Sequence, residues 1–242
     1  MIEKAKQIRD DVIRVAVKNG AGHIAPSLSC IEILVELFYR AMKPEDKFIL
    51  SKAHGGYGYY SILADKGLLP KEVWESFDLP GCVERKPQYG ILAGCGSLGH
   101  GLPMAVGVSW GLKLKRADGR VWCLLGDGEC QEGTTWEAVQ FAVHHKLDNL
   151  TIIIDDNNLQ AMDYTEDVIR GDLGRRFYGF GLVPWRIGDG HSFNRLRQAL
   201  RATKPTTPHL VIAHTIKGKG LPFMENIPMW HFKVPEKHEL SQ

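Results

Sequence analysis

Apolar residues recur every three or four positions over residues 2–18 of the chain. This spacing places them on one face of an amphipathic helix, and the Asn19-Gly20 pair that follows is a typical helix end. A second helix is predicted over residues 30–42, with Ser29 as its N-terminal cap. The apolar face of the first helix consists of Ile2, Ala5, Ile8, Val12 and Val15.

Short, unbroken apolar runs at residues 121–125 and 150–154 have the length and composition of strands buried on both faces of a parallel sheet. Further strand-like runs lie at 48–50, 183–187 and 210–214, and helices are predicted at 57–67, 102–115, 134–145 and 193–202. This alternation predicts an α/β fold with a doubly wound parallel sheet flanked by helices. One domain is predicted for residues 1–242, with a Gly/Pro-rich loop at 78–101 and an irregular tail from about residue 223.

The composition is that of an ordinary globular protein, with 44% apolar and 24% charged residues among 242. A net charge of +2, without a basic block or interleaved aromatic residues, gives no indication of nucleic-acid binding. No apolar run is long enough to span a membrane, and the charged N-terminus does not resemble a secretory signal. The five cysteines are scattered and form no C-x-x-C pair, which argues against a disulfide framework or a zinc site and favours a reducing cytoplasm.

Polar residues follow two neighbouring strands of the predicted sheet. Gly-Asp-Gly-Glu at 126–129 ends the first strand, and Asp-Asp-Asn-Asn at 155–158 ends the next. Ligands of open parallel sheets bind beyond the carboxyl ends of the strands. Asp127 and Asn157 are 30 positions apart, which is one strand–helix–strand repeat, so both side chains are expected at one point. Either segment alone would suit an ordinary turn, but two at matched spacing favour a shared site.

A carboxylate and an amide oxygen are hard ligands, which suit Mg²⁺ or another divalent cation that also binds phosphate oxygens and water. Gly126 and Gly128 allow the backbone to approach a phosphate closely. The helix that follows can offer its positive N-terminus to the same phosphate. The residues therefore predict a site for a phosphate group and a divalent cation.

These segments, taken in order, resemble the N-terminal half of transketolase over nearly the whole chain. The matching segments lie at 22–29, 49–55, 96–107, 126–138, 146–160 and 214–226. The resemblance implies the thiamine diphosphate-binding fold, with thiamine diphosphate and Mg²⁺ as cofactors.

The resemblance also assigns roles to individual residues by position. It implies that Asp127 and Asn157 bind Mg²⁺ through their side chains and that Leu159 binds it through its carbonyl oxygen. It makes His23 and His231 the catalytic histidines, although Phe232 follows His231 where the family usually has glycine. The implied cofactor contacts are His54, Gly96, Ser97, Leu98, Gly128 and Asn157.

Two further features bear on specificity and assembly. The family often has a His-Pro pair before the cofactor loop that helps to hold the donor's hydroxyl groups, and here the pair reads Lys86-Pro87. An ammonium group at this place leads to the hypothesis of an anionic or otherwise unusual donor. Glu132 and Glu137 resemble acids at the family's subunit interface, although a solvated helix face would explain them nearly as well.

The activity implied by the resemblance is transfer of a two-carbon ketol unit from a ketose, or its phosphate, to an aldose or its phosphate. In the family, the glutamate that activates the cofactor lies on a separate pyrimidine-binding domain, for which this chain is too short. A companion subunit that carries this domain is therefore expected, with two copies of each chain and the active site between them.

Three other functions remain open on the sequence alone. One is half of another thiamine diphosphate enzyme, such as a 2-oxo acid dehydrogenase or decarboxylase or a deoxyxylulose-phosphate-synthase-like enzyme; the segments around His23 and His54, and Lys-Gly-Lys-Gly at 217–220, favour transketolase. A dinucleotide-binding oxidoreductase is disfavoured because the third glycine of G-x-G-x-x-G is missing after Gly128. A non-enzymatic subunit is disfavoured by the intact Asp127.

Overall fold

A computed structural model describes residues 1–20, 22–76, 79, 81–202, 205–236 and 238–241 of the chain. Its centre is a five-stranded sheet with the spatial order β1-β2-β3-β5-β4, in which every pairing is parallel. The strands are β1 (Lys47–Leu50), β2 (Val121–Gly126), β3 (Leu150–Asp156), β4 (Trp185–Ile187) and β5 (His209–His214). The predicted parallel α/β fold is confirmed.

Helices flank this sheet. Within the described residues the α-helices are α1 (Ile2–Lys18), α2 (Ile24–Ser29), α3 (Ile31–Glu36), α4 (Gly56–Asp65), α5 (Lys71–Glu75), α6 (Gly101–Leu114), α7 (Gly133–His144), α8 (Thr165–Val168), α9 (Leu173–Gly179) and α10 (Phe193–Arg201). A π-helical turn, Leu37–Ala41, extends α3. Short 3-10 segments lie at Ala53–Gly55, Pro87–Tyr89, Gly128–Gln131, Pro228–His231 and Glu239–Ser241.

Strands β2 and β3 lie in the middle of the sheet and are buried along almost their whole length. Their unbroken apolar runs fit this position because both faces of a central parallel strand are covered by helices. Gly126 of β2 stands opposite Asp155 of β3 in the register of the pair. The polar residues that follow the two strands therefore leave the sheet side by side, as the spacing of the sequence predicted.

Helix α1 begins and ends at the predicted residues. Four of its five predicted apolar positions are buried, and Gly20 takes a positive φ of 63° just beyond its end. Ile2 is the exception and remains exposed, because it occupies the first position of the helix, at the free end of the apolar face.

Several details differ from the sequence predictions. Ser29 ends α2 and does not cap α3; its hydroxyl donates a charge-assisted hydrogen bond to the buried Asp155 carboxylate at 2.6 Å. The strand predicted from residue 183 begins only at Trp185. The tail contains a 3-10 turn that buries Trp230, so it is more ordered than predicted.

The predicted loop 78–101 contains a 3-10 turn and an antiparallel bridge between Lys86 and Ile91. Asp78 and Pro80 lie outside the described residues. All five cysteines are free thiols, which agrees with the predicted absence of a disulfide framework. No helix in the described ranges combines the length and apolar character needed to cross a bilayer.

Truncation of a buried side chain in the central strand β3 should destabilise the fold strongly. Ile153 in β3 is fully buried, so Ile153→Ala removes apolar contacts and leaves a cavity, at an expected cost of about 2–5 kcal/mol in the free energy of unfolding. The matched control is Ile169→Ala, where the side chain is 48% exposed and the expected change is within about 0.5 kcal/mol. Urea unfolding of both variants measures the difference, and equal losses would contradict this description of the core.

Candidate active site

A cavity of about 250 Å³ opens where the carboxyl ends of β2 and β3 meet. Every predicted site residue except Ser97 lines its wall: His23, His54, Gly96, Leu98, Asp127, Gly128, Asn157, Leu159 and His231. Ser97 lies in the same loop but is exposed outside this wall. A larger cavity of about 470 Å³ lies on the other side of Asp127, and Asp127 is the one predicted site residue in its lining. The predicted site residues therefore converge on the smaller cavity.

Asp127 is a buried carboxylate at the floor of the cavity. One oxygen accepts a hydrogen bond from the Gly128 N–H at 2.9 Å, and the other accepts one from the Asn158 N–H at 2.5 Å. Burial, together with the nearby carboxylates of Asp156 and Asp155, raises the pKa of Asp127 to about 7. A cation bound at this place would relieve the cost of burying the negative charge.

Asn157 and Leu159 bring two neutral oxygens to the same wall. The Asn157 amide donates to Asp155 at 3.4 Å, and its oxygen accepts from the Leu159 N–H at 3.1 Å. In the described part of the chain, no three His, Cys, Asp or Glu side chains converge to hold a metal ion. One carboxylate with an amide and a carbonyl oxygen fits Mg²⁺, which fills its other positions with phosphate oxygens and water.

The loop at 96–99 runs close to the end of β1 and to helix α7. A Cβ atom added to Gly99, which has a φ of 79°, would lie 2.4 Å from the Thr134 hydroxyl oxygen. A Cβ added to Gly101 would lie 2.5 Å from the Ser51 Cα. At Gly96 an added Cβ would meet nothing within 4 Å, so the backbone there borders open space. The glycines thus hold this loop close to the body of the domain and leave room for a ligand beside Gly96.

Hydrogen bonds to Glu129 connect this loop to the end of β2. Its buried carboxylate accepts hydrogen bonds from the Gly99 N–H at 2.9 Å, the Gly126 N–H at 3.3 Å and the Ser51 hydroxyl. Burial raises the pKa of Glu129, and these three donors oppose that effect. The sequence analysis gave Glu129 no role, although an acid directly after Gly-Asp-Gly and before a predicted helix was a usable signal.

Lys52 and Asp155 form a fully buried ion pair beneath the cavity. The Lys52 ammonium also donates to the Pro26 carbonyl at 3.0 Å, and Asp155 accepts further hydrogen bonds from the hydroxyls of Ser29 and Thr215. Burial alone would raise the pKa of Asp155, but Lys52 and the hydroxyl donors hold it below its usual range. Neither charged residue was singled out from the sequence.

Three histidines meet at the cavity. The ring centroids of His23 and His231 are 5.3 Å apart, those of His54 and His231 are 5.3 Å apart, and those of His23 and His54 are 6.2 Å apart. Burial lowers the pKa of all three, and the Lys217 ammonium lowers it further; Lys52 adds to this effect at His54 and at His231, whose pKa falls to about 3. All three imidazoles are therefore neutral near pH 7.

Phe232, which stands where the family usually has glycine, packs against the first of these histidines. Its ring centroid lies 4.6 Å from that of His23 in an edge-on arrangement, and a Cβ added to Gly22 would meet the Phe232 ring at 2.7 Å. The departure from the family pattern thus has a structural role, because Phe232 covers one side of His23.

Lys217 is a cavity residue that the sequence analysis did not assign. Its buried ammonium lies 2.7 Å from the Gln160 carbonyl oxygen and 2.8 Å from His231 Nδ1. Burial and the nearby Lys52 lower the pKa of Lys217 to about 8. The Lys-Gly-Lys-Gly segment had favoured transketolase as a whole, and its first lysine is the one at the cavity.

Lys86 does not line the cavity, so the structure gives no support to the hypothesis that its ammonium meets the donor. Its backbone is engaged in the bridge with Ile91, and Cys82 lines the wall instead. Burial raises the pKa of the Cys82 thiol, so this part of the wall is uncharged near pH 7. Glu132 and Glu137 are both exposed, which agrees equally with a subunit interface and with a solvated helix face.

A parallel α/β domain with a glycine-rich loop and polar residues at adjoining strand ends has the architecture of the class that binds phosphate-containing ligands at the carboxyl edge of its sheet. The sequence profile of the family described as "Transketolase, thiamine diphosphate binding domain" matches residues 3–239. The chain therefore belongs to this family, and the dinucleotide-binding alternative is wrong.

Individual relatives give the same result. One subunit of the apulose-4-phosphate transketolase of Actinobacillus succinogenes is 36% identical over an alignment of 256 positions, which spans 99% of this chain and 92% of the relative. A 6-deoxy-6-sulfo-D-fructose transketolase subunit of a Clostridium species is 34% identical over 241 residues, which cover 92% of this chain and 86% of the relative. The crystal structure of Campylobacter jejuni transketolase superimposes with a TM-score of 0.90 at 29% identity. This match covers 98% of our chain but only 41% of that protein.

Removal of the Lys52 ammonium should destabilise the protein, because it leaves the Asp155 carboxylate buried without its partner. We expect Lys52→Met to cost about 3–5 kcal/mol in the free energy of unfolding. The control is Lys113→Met, which breaks an exposed pair with Asp148 and should cost at most about 1 kcal/mol. Chemical denaturation at pH 7 gives both values. Equal stability of Lys52→Met and wild type would mean that this pair does not support the fold.

The stability of the protein should depend on the protonation of its cavity histidines. The folded-state pKa of His231 lies below the unfolded value of about 6.5, so the unfolded chain takes up the proton first and stability is lost as the pH falls from 7 towards 4. Asp127, with its raised pKa, contributes in the opposite direction, so the informative quantity is the difference between variants.

We therefore expect His231→Gln to lose less stability than wild type between pH 7 and pH 4, as measured by the urea midpoint at each pH. His238→Gln, at an exposed position, is the control and should follow wild type. If the His231 variant shows the same pH dependence as wild type, the ring is not held neutral by the fold.

Proposed function

We propose that this chain is the diphosphate-binding subunit of a two-chain transketolase. The observation that carries the proposal is the convergence of Asp127, Asn157 and three neutral histidines on one cavity of a chain as long as transketolase subunits. The chain covers 92% of the apulose-4-phosphate transketolase subunit but only 41% of human transketolase, to which it is 35% identical. These proportions support an enzyme divided between two polypeptides.

Asp127, Asn157 and the Leu159 carbonyl would hold Mg²⁺, or another divalent cation, against the diphosphate of thiamine diphosphate. His54, Gly128 and the loop Gly96-Ser97-Leu98 would contact the cofactor. The Lys217 ammonium supplies a further positive charge at this wall, which supports the binding of an anionic group. When bound, the cofactor supplies the carbanion chemistry that transfer of a ketol unit requires.

His23 and His231 are the residues we propose to act on the substrates. Both rings are neutral near pH 7, so each can donate one hydrogen bond to a hydroxyl or carbonyl oxygen and accept another. The substrates proposed are a ketose donor and an aldose acceptor, either free or phosphorylated. The two subunit relatives are named for a sugar phosphate and for a sulfonated sugar, which supports a sugar or sugar derivative as the donor.

A companion subunit would carry the pyrimidine-binding domain and the activating glutamate, with two copies of each chain in the assembly. Exposed apolar side chains beside the cavity support a partner that covers it. Leu98 lines the wall and is 37% exposed, and Phe232, next to His231, is 65% exposed. Met162 follows the wall residue Ala161 and is 83% exposed, so each of these three apolar side chains belongs to a wall residue or to its neighbour in the chain.

Cofactor binding tests this proposal directly. Thiamine diphosphate and Mg²⁺ together should raise the Tm of the chain, because a ligand of the folded state at about 100 times its Kd adds roughly 2.7 kcal/mol. For a chain of this size that corresponds to a Tm rise of about 5–10 °C. Asp127→Asn should lose the rise. Its stability without ligand should fall somewhat, because its amide nitrogen cannot accept one of the two backbone N–H bonds that the carboxylate accepts, so the rise is measured relative to the variant's own Tm. Asp118→Asn, in an exposed loop, is the control and should respond as wild type does.

The same variants should then be assayed after co-purification with the companion subunit. Turnover of a ketose phosphate and an aldose phosphate is expected from the pair, and not from this chain alone or from the pair with Asp127→Asn. A Tm rise with NAD in place of thiamine diphosphate, or an unchanged response of Asp127→Asn, would overturn the proposal.

A further inference from the structure

The contact between Lys217 and His231 restricts where the histidine can carry its proton. The Lys217 Nζ lies 2.8 Å from His231 Nδ1. An ammonium has three N–H donors and no lone pair, so the ring nitrogen that faces it must accept the hydrogen bond. A neutral imidazole with an accepting Nδ1 carries its only proton on Nε2.

The surroundings of the pair favour a charged Lys217 and a neutral His231. Burial and Lys217 favour the neutral form of His231 against a backbone hydrogen bond to Gln160 that favours its charged form, while the carboxylates of Asp127 and Asp155 favour the charged form of Lys217 against burial and against Lys52. A neutral amine could accept a proton from Nδ1, but the pKa of Lys217, about 8, keeps the ammonium dominant at pH 7.

Lys217 itself is held in one place. Its ammonium also donates to the Gln160 carbonyl oxygen at 2.7 Å. Its carbonyl oxygen accepts from the Asn226 N–H at 2.9 Å, and the next residue, Gly218, donates its N–H to the Ala25 carbonyl oxygen at 3.1 Å. The side chain and the backbone of Lys217 are therefore both held by contacts that do not involve His231. The position of the lysine is set independently of the ring, so the lysine can orient the ring.

We propose that Lys217 is a positioning residue that fixes His231 in the Nε2–H tautomer, so that the ring offers a proton donor to the ligand in the cavity. In the enzyme this would make His231 a hydrogen-bond donor to a substrate or diphosphate oxygen, and not the group that first removes a proton. Among the described residues no ammonium lies within hydrogen-bond distance of the His23 ring, so His23 is the candidate acceptor. The catalytic half of the inference rests on the proposed function, whereas the tautomer does not.

The tautomer can be measured on this chain without cofactor or partner. Long-range ¹H–¹⁵N correlation spectra of the labelled protein distinguish protonated from unprotonated ring nitrogens, and His231→Gln identifies the signals. We expect an unprotonated Nδ1 and a protonated Nε2 in wild type. Lys217→Met should give a mixture or the opposite tautomer, and Lys217→Arg should retain the wild-type pattern. His209, whose Nε2 contacts the Ala199 carbonyl oxygen at 2.8 Å, serves as an internal reference that should not change.

A protonated Nδ1 in wild type would overturn the inference whether or not any variant folds. So would an unchanged His231 pattern in a folded Lys217→Met, with Lys217→Gln as the second variant if the methionine protein does not fold. In the assembled enzyme, loss of the positioning residue should lower kcat by about 10–100-fold, with part of the loss recovered in Lys217→Arg. Because the spectra need no turnover, an inactive assembly would count against the proposed function and leave the tautomer result intact.

Discussion

The ion pair of Lys52 and Asp155 is the interaction on which the geometry of the site depends. It is fully buried where the carboxyl ends of the strands meet, and it joins residues that follow β1 to residues at the end of β3. Through Ser29 and Thr215 the same carboxylate holds helix α2 and the segment after β5. The cost of burying two charges is offset only when the pair has good geometry and further hydrogen bonds. This requirement fixes the strand ends relative to one another and, through Asp155, the amide of Asn157.

The parts of the fold that the sequence predicted well are those governed by local pattern. The runs that form β2 and β3 are apolar without interruption because both of their faces are covered. Their separation by one helical crossover placed Asp127 and Asn157 together. The ion pair escaped prediction because its two members are 103 positions apart and each looks like a surface residue when its neighbours are read alone. The hydrogen bonds of Glu129 with Ser51 and Gly99 were also missed, because these partners lie 78 and 30 positions away in the chain.

The positions of loop residues could not be predicted from family motifs alone. The alignment of Lys86-Pro87 with a family motif relied on two residues in a Gly/Pro-rich segment. In the structure an antiparallel bridge joins Lys86 to Ile91, and the sequence did not predict this local structure. Cys82 lines the cavity, whereas Lys86 does not. In the same way, the packing of Phe232 against His23 depends on a contact between distant parts of the chain, which a residue-by-residue comparison with a family cannot show.

The apolar surface around the cavity has a consequence for the cell that makes this protein. Leu98, Met162 and Phe232 are exposed in the isolated chain. An exposed patch of this kind is tolerable while it is covered and favours self-association when it is not. If the proposed companion subunit covers these side chains, synthesis of the two polypeptides in unequal amounts would leave an excess of this chain that is prone to self-association.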